Sequence, residues 1–441
     1  LKNHFFYIIF CFACFSIEAC KTLHTAPTTD LENVAEIVKP VVEIPSHPLQ
    51  SETDIDILMK EIGDVRVVVL GESTHGTHEF YQWREAITRR LISEKKFNLV
   101  TVEGDWSDAS AINHFVNGNV SDSTALRSAL NEFDRWPASL WQNRETAAWL
   151  QWLNNYNRQA DGGGKVGFYG MDLYSFSEWT KDAPVVKDTA LQAAIVAVRN
   201  GFAAYHHDAM EYHEAVRTQG ADLSHLTERL WKLVSSHTNL EPQDAVAFNL
   251  RQQAKLTLDG EKYFRTMSRD RVGSWNLRDA FMAATVESLL HFKGKEAKMV
   301  IWTHNTHAGD TKYSTMSANG YASLANLLRN RLGRKNIFIM GFGMDHGTVL
   351  AANEWNSVEK NITVPAARPG SWEGLLHVSG HENKLVFSKE IEADPQLNRW
   401  LEFRSIGATY NGMDSYSQSI IPGRFDAFMF IDSTTPLRPL D

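Results

Sequence analysis

Beyond position 20 the chain has no cysteine: its three, Cys11, Cys14 and Cys20, all fall in the first twenty of 441 residues. The remainder therefore has no internal disulfide, cysteine nucleophile or thiolate metal site. Clustered lysine and arginine are also missing. With a formal charge of −9 and no basic block to neutralise phosphates, no nucleic-acid partner is expected. After the N-terminal apolar run, no second hydrophobic stretch reaches the length needed to span a bilayer. No Gly-x-Ser-x-Gly elbow follows a strand pattern, which argues against a serine nucleophile of that kind. Neither a Gly-x-Gly-x-x-Gly fingerprint nor a P-loop occurs. The segment Gly341-Phe342-Gly343-Met344-Asp345 has only two of the glycines that a dinucleotide turn requires.

What is present is ordinary globular material, 43% hydrophobic and 22% charged, enough for one large or two modest domains with cores of their own. Thirteen tryptophans are available to the core and to an apolar ligand cleft. Lys2, His4, the apolar residues 5–15 and Ile17-Glu18-Ala19-Cys20 read as an export signal over residues 1–20. Ala19-Cys20 resembles a bacterial lipobox, which would attach the mature chain to a membrane through a lipidated Cys20, with plain signal cleavage as the alternative. The expected location is periplasmic or envelope-anchored. Residues 21–49 read as a tether, followed by a folded domain over 50–441.

From there short apolar runs alternate with helical patterns, a βα rhythm. Strands are expected at 65–70, 97–103, 165–170, 298–302 and 336–340, then at 348–351 and 426–431, with a crossover helix over 79–93. Continuous apolar character predicts a mostly parallel central sheet flanked by helices on both faces, an α/β fold. Residues 182–292 lack a strand pattern and form a large all-helical insertion, with helices expected at 189–206, 223–236, 243–258 and 278–292, capping the active-site cleft. His206, His207 and His213 within it read as solvated helix residues rather than metal ligands. Residues 365–374 read as a loop.

Polar residues at the carboxyl ends of parallel strands can meet over one crevice although far apart in sequence. Directly behind 65–70 comes Gly71-Glu72-Ser73-Thr74-His75-Gly76, where the two glycines permit a turn. Histidine has the side-chain pKa nearest neutrality, which suits His75 to take a proton from an attacking water. Glu72 or Glu103, the latter at the lip of the second strand, would stabilise the resulting imidazolium. After the fourth strand, His304 and His307 stand three apart, placed to donate to an oxyanion or, with carboxylates, to hold zinc or manganese. Their spacing is not that of His-Glu-x-x-His, and no metal or other cofactor is expected. Arg84, Asn305 and Asp172 are assigned to substrate binding, with loop architecture as the other use of Asp172.

Taken in order, Gly71-Glu72-Ser73-Thr74-His75-Gly76, Glu103, Gly170-Met171-Asp172, Arg278-Asp279-Ala280-Phe281-Met282 and His304-Asn305-Thr306-His307 resemble the erythromycin esterase family of hydrolases. The resemblance spans roughly residues 65–343. It implies metal-independent hydrolysis of a small-molecule ester, a macrolide lactone in particular. His75 would be general base toward water, Glu72, Arg84, Glu103, His304 and His307 would complete the site, and no covalent intermediate would form. The alternatives are a metal-dependent hydrolase of another envelope ester or amide, and a non-catalytic envelope binding protein.

Overall fold

A computed structural model of the chain describes residues 43–160, 164–181, 183, 185–236, 244–380, 382–412 and 415–440. The expected export signal, with Cys20, lies outside them. The described strands are β1 (His47–Pro48), β2 (Val67–Leu70), β3 (Leu99–Asp105), β4 (Gly167–Asp172), β5 (Met299–Trp302), β6 (Ile337–Ala351), β7 (Lys360–Val364), β8 (Lys384–Phe387), β9 (Leu401–Arg404), β10 (Tyr416–Ser419) and β11 (Ala427–Thr434). Nine of them form one sheet in the order β1-β8-β11-β6-β2-β5-β3-β4, with β7 attached to β6. The pairs from β11 through β6, β2, β5 and β3 to β4 are parallel. The β1–β8, β8–β11 and β6–β7 pairs are antiparallel. The chain is therefore mixed α/β with a mostly parallel sheet, as the apolar runs predict.

The parallel part of the sheet is covered on both faces by the elements that connect its strands. Val67, Val68, Val69 and Leu70 are all buried, yet they alternate between two cores: Val67 and Val69 face one, Val68 and Leu70 the other. This is the two-residue pleat of a strand that never meets water. The crossover helix His78–Lys95 follows, ending where Lys96 turns left-handed at φ 60°. Trp149, Trp302 and Trp372 are fully buried in the cores, whereas Trp355 and Trp400 are about half exposed (47% each).

Several expectations are corrected. The tether cannot run to 49, because His47–Pro48 pairs with β8 and Ile44 and Leu49 are buried. Residues 336–340 and 348–351 are two ends of one strand, β6, whose middle continues to pair with β11. Gly343 is needed there for space rather than for a turn, since a Cβ would strike the Phe428 ring. The helix Trp372–Val378 begins inside the stretch read as a loop. Among the described residues the insertion contains Thr189–Ala203, Ala209–Gln219, Ser224–Ser236, Ala245–Met267 and Arg271–Lys293, of which Ala209–Gln219 was not expected. His206 and His207 sit in a turn with φ of 51° and 57°. His213 is buried and its Nδ1 donates to the Phe264 carbonyl at 3.0 Å, so it is a core residue. Among the described residues no helix is long and apolar enough to cross a membrane.

The chain passes from β2 outward to β3 and β4, then returns to β5 between β2 and β3 before crossing to β6 on the far side of β2. In an open α/β sheet the carboxyl ends of strands around such a reversal form the ligand crevice.

Candidate active site

The site is built from the loops that leave β2 and β5, the carboxyl ends of β3 and β4, and the helix Arg271–Lys293. Gly71 and Gly76 frame the first, and neither has positive φ. Glycine is required because a Cβ at 71 would collide with the Asn305 side chain and one at 76 with the Leu350 backbone. The turn is thereby clamped against β6, which aims Glu72 and His75 inward.

His75 Nδ1 donates to Glu72 Oε1 at 2.8 Å. The other carboxylate oxygen of Glu72 lies 2.7 Å from Arg84 Nη2. Arg84 is 1% exposed, with Tyr81 and Trp302 rings 4.3 and 4.7 Å from its guanidinium carbon. Neither its Nε nor its Nη2 makes an oriented hydrogen bond among the described residues, so its charge is answered by the close Glu72 carboxylate and two aromatic faces. Burial alone would raise Glu72, but Arg84 and His75 outweigh it and hold the carboxyl below its ordinary value. Burial alone would lower His75; the bond and charge of Glu72, with help from Glu103, raise it above the ordinary imidazole value. The His75 side chain keeps 17% of its surface. With Nδ1 committed, Nε2 is left as the ring nitrogen with a free lone pair.

His304 sits beside it, ring centroids 5.0 Å apart, but is locked. Its Nε2 donates to the Ile406 carbonyl at 3.0 Å, which leaves Nδ1 to accept from Thr306 at 2.8 Å. Burial and the neighbouring His75 charge push it down to about 4, so it is neutral. With both nitrogens occupied it cannot donate to an oxyanion, contrary to one of the two expectations for it.

Glu103 is the hub. One oxygen accepts from the Thr303 hydroxyl at 2.7 Å and the His304 backbone at 2.8 Å; the other accepts from Arg278 at 2.9 Å and lies 3.5 Å from His307 Nε2. Burial would raise it, but the His307 and Arg278 charges hold it well below the usual carboxylate range. His307 Nδ1 is 2.9 Å from both Asp279 oxygens, its Nε2 is 3.0 Å from Arg278 Nη1, and its ring stacks on Trp275 at 4.4 Å.

The structure thus brings Glu72, His75, Arg84, Glu103, Asp172, His304 and His307 into one connected network, and adds two residues the sequence reading left out of the site. Arg278 grips Asp172 through Nε and Nη2, and Asp279 orients His307. Both lie on the helix Arg271–Lys293, and their signal was the Arg-Asp pair inside the fourth motif. Neighbours on a helix point about 100° apart, so one reaches β4 and the other the β5 loop.

The substrate-binding assignments are corrected on burial. Arg84 holds Glu72 and Asp172 holds Arg278. Asn305 is wholly buried, donating to the Phe342 carbonyl at 2.6 Å and accepting the Phe342 N–H at 3.3 Å; it staples the β5 loop to β6. Asn305→Ala is therefore expected to cost about 1–3 kcal/mol of stability, the penalty for stranding buried backbone groups, read by urea unfolding. A substrate ligand would instead raise KM with stability unchanged.

Comparison with known proteins bears on the family and the fold. The family model Erythromycin esterase matches residues 92–434, a span that includes Glu103, Asp172, Arg278 and His307 and begins just after Arg84. Erythromycin esterase type II of Escherichia coli is 22% identical over 82% of this chain and 90% of its own length. The putative hydrolase YbfO of Bacillus subtilis (strain 168) is 21% identical over 88% and 87%. Among solved structures, a succinoglycan biosynthesis protein superposes with a TM-score of 0.71 at 19% identity, covering 89% of this chain and 95% of that one. A mutant of the erythromycin esterase EreC in its open conformation superposes at 0.64 and 17% identity, covering 88% and 97%. The chain belongs to the erythromycin esterase family.

Proposed function

We propose that this protein hydrolyses a carboxylic ester, a macrolide lactone in particular, by a water that His75 deprotonates. The observation that carries the reading is the relay Arg84–Glu72–His75, in which a buried ion pair fixes the imidazole tautomer and leaves Nε2 as the base. Water oxygen attacks the carbonyl carbon while Nε2 takes its proton, and Glu72 stabilises the imidazolium. The carbonyl π electrons move to oxygen, and the Arg278 guanidinium, held between Asp172 and Glu103, supplies compensating positive charge. On collapse of the tetrahedral intermediate the C–O bond breaks, and the alkoxide takes the proton back from Nε2. The acid and alcohol groups, joined in one hydroxy acid where the substrate is a lactone, leave with no bond to the protein.

Support for the ester class comes from the family, and for the lactone from the name of the relative in Escherichia coli. We infer export from the first twenty residues, attachment through Cys20, and a lid role for the insertion, whose last helix already supplies Arg278. The test is incubation of the purified chain with macrolides of different ring size and with simple aryl esters, read by mass spectrometry. Gain of one water on a macrolide is expected. Turnover of aryl esters alone would keep the ester reading and end the lactone one; no turnover of either would end both.

A further inference from the structure

A second group of chemistry-bearing side chains lies outside this network, on β6, β11 and the helix Trp372–Val378. The parallel register of β6 and β11 pairs Met344 with Ile431 and His346 with Ser433, which sets Asp345 beside Asp432 on the same face of the sheet. Like charges placed side by side across a strand pair are destabilising unless a cation answers them. What lies between them is the His377 imidazole, with a second, His346, against Asp345 alone. His377 Nδ1 is 2.6 Å from Asp432 Oδ1 and 3.6 Å from Asp345 Oδ2. Asp345 is buried; its Oδ1 accepts the Ala367 N–H at 3.1 Å, while its Oδ2 also meets His346 Nδ1 at 2.9 Å.

From Asp345, His377 and Asp432, one donor atom each lies within 4.8 Å of the others. The three come from separate elements at positions set by sheet register and helix packing, so their convergence does not depend on a floppy loop. Asp345 and His377 also line an open surface depression, together with His346, Thr363 and Thr434, so solvent can reach the group.

We propose that Asp345, His377 and Asp432 form a binding site for a divalent transition-metal ion, zinc above all. Imidazole nitrogen and carboxylate oxygen are zinc's ordinary non-thiolate ligands, at about 2.0–2.2 Å from the ion. A tetrahedral arrangement at that radius separates donors by roughly 3–4 Å, close to what is found. Binding displaces the Nδ1 proton of His377 to solvent and replaces the His377–Asp432 hydrogen bond with a dication shared by both carboxylates. The fourth position would be taken by water from the adjoining depression. His346 then holds the Asp345 oxygen, as an outer partner that orients a ligand.

The experiment is a Zn²⁺ titration of the whole chain after chelator treatment, followed by calorimetry and by metal content after desalting. One equivalent is expected, with a rise in the thermal midpoint. Asp432→Asn, which keeps volume and shape, and His377→Ala should each weaken binding by about 10–100-fold or more and abolish the midpoint rise, with circular dichroism confirming the fold. His75→Asn should bind as the parent does. Absence of stoichiometric zinc, binding undiminished in both Asp432→Asn and His377→Ala, or loss of zinc in His75→Asn would each overturn the site. The last result would place the metal in the catalytic network instead.

Discussion

Replacing His75 with asparagine is expected to lower kcat about 10²–10⁴-fold, the contribution typical of a general base, with the fold unchanged. Asparagine can still hydrogen-bond Glu72 Oε1, so the loop clamped by Gly71 and Gly76 keeps its support, but no nitrogen is left to take a proton. The pH profile separates chemistry from architecture. Catalysis needs His75 unprotonated, and Glu72 raises the pKa of His75. The acidic limb of kcat/KM is therefore expected above the ordinary imidazole value, with activity rising as pH rises through it. In Glu72→Gln the negative charge is gone, burial is opposed by Glu103 alone, and that limb should move to lower pH. Full activity in His75→Asn, or a limb that ignores Glu72→Gln, would remove His75 as the base.

The second large effect is on stability. Arg84→Met is expected to destabilise the fold by about 3–5 kcal/mol, the cost of leaving one member of a buried ion pair without its partner. Glu72 is 2% exposed and has no water to turn to. Methionine keeps contact with Tyr81 and Trp302, so most of the loss reports the stranded carboxylate rather than a cavity. The double variant Arg84→Met/Glu72→Gln should recover much of it, and urea unfolding of the four proteins measures the coupling. The acid dependence follows in sign. Since Glu72 is held below its unfolded value, its stabilisation is complete above the ordinary carboxylate pKa and is lost as pH falls through the depressed one. Arg84→Met should flatten that dependence. Additive single losses would show that Arg84 and Glu72 do not act as a pair.

Much of this site was legible before any coordinates, because its residues follow directly on buried strands. Glu72, His75, Glu103 and His307 each stand at or just after an apolar run, and in a parallel sheet that position alone directs them toward the crevice. The residues that went astray did so for a common reason. Asn305 looks like a ligand because it is polar and flanked by histidines, yet its partner is the backbone of Phe342, thirty-seven positions away. His304 looks like a donor, yet the Ile406 carbonyl occupies its Nε2. Arg278 lay on a helix some distance from any strand end, and helical arginines are ordinarily solvated. The run from Gly341 to Asp345 reads as a broken dinucleotide turn but is the middle of a long strand, kept pleated by pairing with β11.

The division between sequence and tertiary structure is physical. Local pattern determines which segments are buried and with what period, because solvent exclusion acts on each strand and helix in place. Strand order, side-chain register and crossover paths determine which polar atom receives which proton. The order β6-β2-β5-β3-β4 set Asn305 against Phe342 and gathered Glu103, Arg278 and His307, and the β6–β11 register set Asp345 beside Asp432. Hydrogen bonds are short and directional, so partners brought together from across the chain leave no trace in the spacing of either one.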